Sequence, residues 1–197
     1  MRALLIVSTL ALAAPALACP NNADLEGPGI VITFDDGSSS KFTRPKPNVI
    51  VEEASFPDSN EGFWLELWRG IYPIGSGGLI DGKRDPNDVT RTEYPVDLKD
   101  LPVGIRTSWS EKTLDFDGKG QPIGDAYTTV DFGRSTKITI SGCTYNALDA
   151  NTIISFIGNS SVSNLVYLTD LEIAVLVGEG SGNDITRLKP VSIAVAQ

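Results

Sequence analysis

The chain of 197 residues contains no histidine, one methionine and two cysteines. Each shortage excludes a chemistry. Without imidazole, the Ser-His and Cys-His pairings that activate most nucleophiles cannot form, and a zinc site loses its usual nitrogen ligand. Two cysteines are too few for a thiolate metal cage. Basic residues are scarce as well: 16 Lys and Arg stand against 25 Asp and Glu, a formal net charge of −9. Nucleic acid and anionic membrane surfaces call for clustered Lys and Arg, so neither is an expected partner. Beyond the N-terminus no apolar run is long enough for a membrane-spanning helix.

What is there begins with "MRALLIVSTLALAAPALACP". Arg2, an apolar run of secretory length, Pro15 and the small-x-small site Ala16-Leu17-Ala18 read as a signal peptide over residues 1–18. The mature chain then starts at Cys19 and is expected to be secreted or periplasmic. Cys19 has two possible fates. One is lipidation to a membrane anchor, although Ala16 stands where a bacterial lipobox carries Leu. The other is a disulfide with Cys143, the only other cysteine, closing a long loop in an oxidising compartment.

The rest of the chain, residues 19–197, is expected to form one all-β domain, an antiparallel sandwich or partly open barrel. Runs such as "GIVITF", "NVIVEEASF", "AYTTVDF", "NTIISFIG" and "LEIAVLV" alternate with period two or are β-branched, and Gly, Asn, Asp and Ser clusters break them at short intervals. No long window carries a capped helical stripe; "YNALDANTI" is the one place read as a possible helical turn. Between Pro73 and Pro102 the composition turns to Pro, Gly and charge, which predicts a long surface excursion over 73–102.

Two short motifs resemble metal sites. "ITFDDGSSS" looks like the first motif of the polysaccharide deacetylases, which would make Asp35 a base and Asp36 a metal ligand. The partner histidines do not exist in this chain, and Ser38 follows Gly37 where that family has Pro. Asp35 and Asp36 are therefore read as residues of a tight hairpin turn. "DFDGKGQPIGD", Asp115 to Asp125, matches a calcium loop at Asp115, Asp117 and Gly120. Lys119 occupies a ligand position and Ala126 replaces the bidentate Glu, so a polar hairpin loop is expected instead. No metal and no cofactor are expected. Asn159, in "NSS", is a glycosylation acceptor only in a glycosylating host.

"GFWLELWRGIYP" is the most informative stretch. Read as one strand, it puts Trp64, Glu66, Trp68 and Tyr72 on one face and Phe63, Leu65, Leu67 and Ile71 on the other. Either this is a central strand covered on both sides, or Trp64, Trp68 and Tyr72 form an aromatic platform for a ligand. The phase of "KITISGCTY", continued as one strand, puts Cys143 beside Thr139 and Ser141, opposite Ile138 and Ile140.

"ISGCTY" and the later "LVYLTDLEIAVLV" resemble a family of small exported bacterial proteins of unassigned function that pair a G-C-x-Y segment with a Y-L-x-[ED]-L strand. The resemblance implies a bacterial envelope protein and carries no catalytic residues. The functional expectation is a non-enzymatic envelope protein acting by binding or structure, with an unknown envelope ligand or protein as partner. The alternative is a periplasmic carrier of an acyl chain or other apolar ligand on a curved sheet. A carboxylate-pair hydrolase comes third.

Overall fold

A computed structural model describes residues 18–181 and 184–197; the signal peptide expected over 1–18 lies almost wholly outside them. The described chain opens with the disulfide between Cys19 and Cys143, whose Cα atoms are 5.5 Å apart. A one-turn helix, α1 (Asn22–Glu26), follows. Asn21 caps it by accepting from the Ala23 amide, and Asp24 accepts from the Asn21 amide in return, a reciprocal arrangement that satisfies two orphan donors. So short a helix cannot stand alone, and Leu25 buries its apolar side.

Thirteen strands then form one antiparallel sheet. They are β1 (Ile30–Phe34), β2 (Ser39–Lys46), β3 (Val49–Ser55), β4 (Glu61–Trp68), β5 (Tyr72–Ile80), β6 (Lys83–Glu93), β7 (Ser108–Asp117), β8 (Pro122–Ile140), β9 (Cys143–Phe156), β10 (Asn159–Leu168), β11 (Ile173–Ser181), β12 (Asp184–Arg187) and β13 (Pro190–Val195). From β1 to β12 each strand pairs with its neighbours in sequence, a continuous meander. The exception is β13, which lies outside β1. Only Leu188 and Lys189 separate β12 from β13, yet β12 pairs with β11 at one end of the sheet and β13 with β1 at the other. The sheet must curl until its two ends meet at this short connection. The all-β expectation is met by a single curved sheet.

The turns follow the sequence chemistry. Between β1 and β2, Gly37 takes φ +87°, and the Asp36 carboxylate accepts from both the amide and the hydroxyl of Ser38, at 2.9 and 2.6 Å. Those bonds hold its pKa below the usual carboxylate value. Asp35 accepts from the Lys189 amide at 3.0 Å. Both are turn and tether residues, as read. In the β7–β8 loop Asp117 accepts from the amides of Lys119 and Gln121, so "DFDGKG" organises its own backbone.

Three expectations are corrected. Ser141 and Gly142 both have positive φ, +44° and +88°, and make a two-residue hairpin turn inside "TISGCT". The chain reverses there, so Cys143 pairs with Ile140 and Tyr145 with Ile138. Cross-strand partners share a face, which puts Cys143 with the isoleucines rather than opposite them. "YNALDANTI" belongs wholly to β9 and makes no helical turn. The Pro73–Pro102 excursion is mostly the β5–β6 hairpin, with β6 largely exposed. It looked irregular because Asp85 to Asp88 bulge out of the ladder between the Leu79–Arg84 and Gly77–Val89 pairs, placing Pro86 where no amide is needed.

Two apolar clusters form the core. One joins Phe42, Ile50 and Leu67 to Ile140, Tyr145 and Ile173, with Leu25 and Cys143 at its margin. The other gathers Tyr72, Val130, Phe132, Leu148 and Tyr167 around Leu101 from the 94–107 connection. Alternate residues of β11 feed both: Ile173 and Val175 the first, Ala174 the second. A strand with both faces covered reads as a continuous apolar run, which is why "LEIAVLV" lacks alternation.

Candidate functional site

The aromatic residues singled out in the sequence prove to be packing groups. β4 ends at Trp68, and the Arg69-Gly70 turn brings Tyr72 onto β5 directly across from Trp68. Gly70 is required there: its φ is +71°, and a Cβ would meet the Glu172 carbonyl oxygen at 1.9 Å. Tyr72 is 0% exposed, stacks edge-on with Tyr94 and Trp109, and donates its hydroxyl proton to the Pro102 carbonyl. Burial pushes its pKa well above the usual phenol value. Trp64 is 5% exposed, with the Arg84 guanidinium 4.1 Å from its ring centre and Gly77 against its indole edge. Trp68 is half-buried against the second cluster. Arg84 of the β5–β6 hairpin covers Trp64, and the second cluster takes up Trp68 and Tyr72, so these three rings form no open surface.

The concave interior offers a different site. Above the two clusters, β3 and β4 stand apart from β9, β10 and β11, leaving an inner cavity of about 120 Å³. Glu52, Phe63 and Leu65 line one wall; Thr152, Ser163, Leu165 and Glu179 line the other. A larger chamber of about 380 Å³ adjoins it and shares Leu65, Pro73, Thr152 and Ser163. Volumes of roughly 300–1,000 Å³ are usual for small-molecule sites. β6, β7 and β8 supply its other wall through Thr90, Thr92, Thr113 and Thr128, with Tyr94 beside them and Asp115 on β7.

This lining is apolar carbon studded with hydroxyls. Several hydroxyls satisfy one another: Thr113 and Thr128 are 2.9 Å apart, Thr92 donates to Asp115 at 2.7 Å, and Tyr94 donates to the Pro73 carbonyl at 2.9 Å. Thr152 and Ser163, which line both chambers, make no side-chain hydrogen bond among the described residues. They are free to bond a guest.

Glu52 is the one strongly perturbed carboxyl in the interior. It is 8% exposed, and its Oε1 accepts from the Ser40 hydroxyl at 2.6 Å. Burial drives its pKa up to about 7, and the Ser40 bond offsets only part of that rise. Sequence reasoning placed "NVIVEEASF" on a strand without singling out Glu52. The signal was the Glu52-Glu53 pair: successive strand residues face opposite ways, so in a strand apolar on both sides one carboxylate must point inward.

The two ends of the curl differ. α1, the disulfide and the 94–107 connection lie at one end. At the other, the meander brings together the termini or tips of β3, β5, β8 and β9, where Phe56, Ile80, Ile123, Phe156 and Ile157 are exposed. Ile123 and Phe156 also line the larger chamber, so its mouth is apolar. Among the described residues no group of three or more metal-ligating side chains occurs, and no helix is long and apolar enough to cross a membrane. Comparison with family models, curated proteins and solved structures returns no match for this chain.

Proposed function

We propose that the protein is an exported carrier that holds a small amphipathic molecule inside its curved sheet. The supporting observation is the pair of connected chambers, walled by apolar side chains and unpaired hydroxyls at Thr152 and Ser163 and entered past Ile123 and Phe156. A scaffold protein fills its interior to the density of an organic crystal; this one leaves two adjoining cavities there. Apolar walls provide affinity for the ligand body, and a few fixed polar groups orient it.

Export is part of the same reading. The Cys19–Cys143 disulfide suits an oxidising compartment, and the leader read from the sequence would deliver the chain there. The disulfide engages the Cys19 thiol that lipidation would need, which supports a carrier without a lipid anchor at that residue.

The test is native mass spectrometry of protein recovered from the compartment where it accumulates, beside a Ser163→Phe variant that intrudes on both chambers. A retained small molecule on the wild type, absent from the variant, is the expected result. Bare protein in both, with no binding of a fluorescent apolar probe such as N-phenyl-1-naphthylamine, would remove the carrier reading.

A further inference from the structure

The walls of both chambers carry an unbalanced charge. Glu52 and Glu179 face the inner cavity and Asp115 faces the larger one, while neither lining includes a Lys or Arg. Asp115 is bonded by Thr92, but Glu52 is served only on Oε1. Its second oxygen has no hydrogen-bond partner among the described residues and is not sealed in protein. More than nine-tenths of the residue is buried, and what remains open faces the cavity. An isolated buried carboxylate is costly unless paired or protonated. The walls supply no cation, so a ligand must bring one or the proton must stay.

We propose, on the carrier reading above, that the ligand is a cationic amphiphile whose protonated amine sits against the free oxygen of Glu52 while its apolar body extends past Leu65 and Pro73 into the larger chamber. The same walls disfavour an ionised fatty acid, which would bring a second negative charge beside the buried Glu52 carboxylate. Thr152 and Ser163, which line both chambers, accept the remaining ammonium protons. Among the described residues, the other titratable group that the strands packed around Glu52 turn to the cavity is Glu179 on β11; Glu53 and Glu66 lie on outward faces.

The experiment compares three probes of one chain length, decylammonium, decanol and decanoate, by titration calorimetry at pH 8. Decylammonium is expected to bind at least about tenfold more tightly than decanol, as a charge-assisted hydrogen bond provides, and decanoate weakest. In Glu52→Gln the preference for the ammonium should shrink to about threefold or less, with decanol binding retained. Glu52 takes up a proton near pH 7, so lowering the pH to 6 should weaken decylammonium about tenfold in the wild type and leave decanol unchanged. If decanol binds as well as the ammonium, or the preference survives Glu52→Gln, this inference fails and the carrier reading stands. If no probe binds, both fail. Should Glu52→Gln not fold, the wild-type ranking and its pH dependence decide alone.

Discussion

Glu52 stores a proton that the unfolded chain would release. Its folded pKa of about 7 lies above the ordinary glutamate value of 4.5. The folded state therefore holds the proton over the interval in which the unfolded state loses it. The group's contribution is fully present below pH 4.5 and is lost as pH rises to 7, by about 3 kcal/mol in all. Urea titrations of wild type and Glu52→Gln between pH 4 and 8 should diverge over that window, the variant gaining relative stability as pH rises. Parallel curves would mean that Glu52 ionises freely in the fold. At Trp64 the expectation is simpler: Trp64→Ala removes a ring buried by the β5–β6 hairpin and should cost about 3–5 kcal/mol, read by chemical denaturation. Trp64 and Trp68 looked like platform residues because periodicity reports which residues share a face and is silent about what later covers it. Glu52 was overlooked for the complementary reason: a carboxylate inside a strand looks like its solvated face until the opposite wall is known.

At the scale of elements, the β1–β2 hairpin was legible because Asp36-Gly37 stands between two clear strands, whereas Asp81-Gly82 went unread because the flanking segments do not alternate. The Ser141-Gly142 turn was missed because β-prone residues run up to it on both sides, leaving no polar cluster to mark the reversal. β6 was missed because its four-residue bulge at Asp85 to Asp88 breaks the alternation. The least self-sufficient element is α1, held by the disulfide, by the Tyr145 hydroxyl donating to the Pro20 carbonyl at 3.0 Å, and by Arg44 donating to Asn22 at 2.7 Å. Arg44 also bonds the Leu171 carbonyl and Glu172, tying β2, α1 and the β10–β11 turn together. The disulfide closes a loop with a sequence separation of 124, worth up to about 5 kcal/mol by the chain-entropy account. Cys143→Ser should lower stability by up to that amount. Hydrogen exchange should show the α1 amides losing protection first while β9 keeps its own; uniform loss across the sheet would show that the tether stabilises the whole fold.

For the whole molecule, the all-β class and its antiparallel sense could be read from the sequence, but the full set of strands and the approach of the sheet's two ends could not. Nothing in "DITRLKPVSIAVA" announces that its first half pairs with β11 and its second with β1, because strand pattern identifies a face and not a partner. Removing residues 190–197 strips β13 from β1 and exposes the ladder positions of Ile30 to Phe34. Such an edge invites pairing with other chains, so the truncated protein should form soluble oligomers or precipitate on refolding, measured by light scattering; a stable monomer would show that β13 is dispensable.

The pairing of Ile30 with Val195 also orders events in time. The first strand of the sheet cannot acquire its outer neighbour until residues 190–195 have been made, and contacts this distant in sequence form slowly. A nascent chain that stops short of these residues therefore carries an incomplete sheet. That lag is a liability in a crowded cytosol and an advantage to a polypeptide that must stay threadable until it has crossed a membrane.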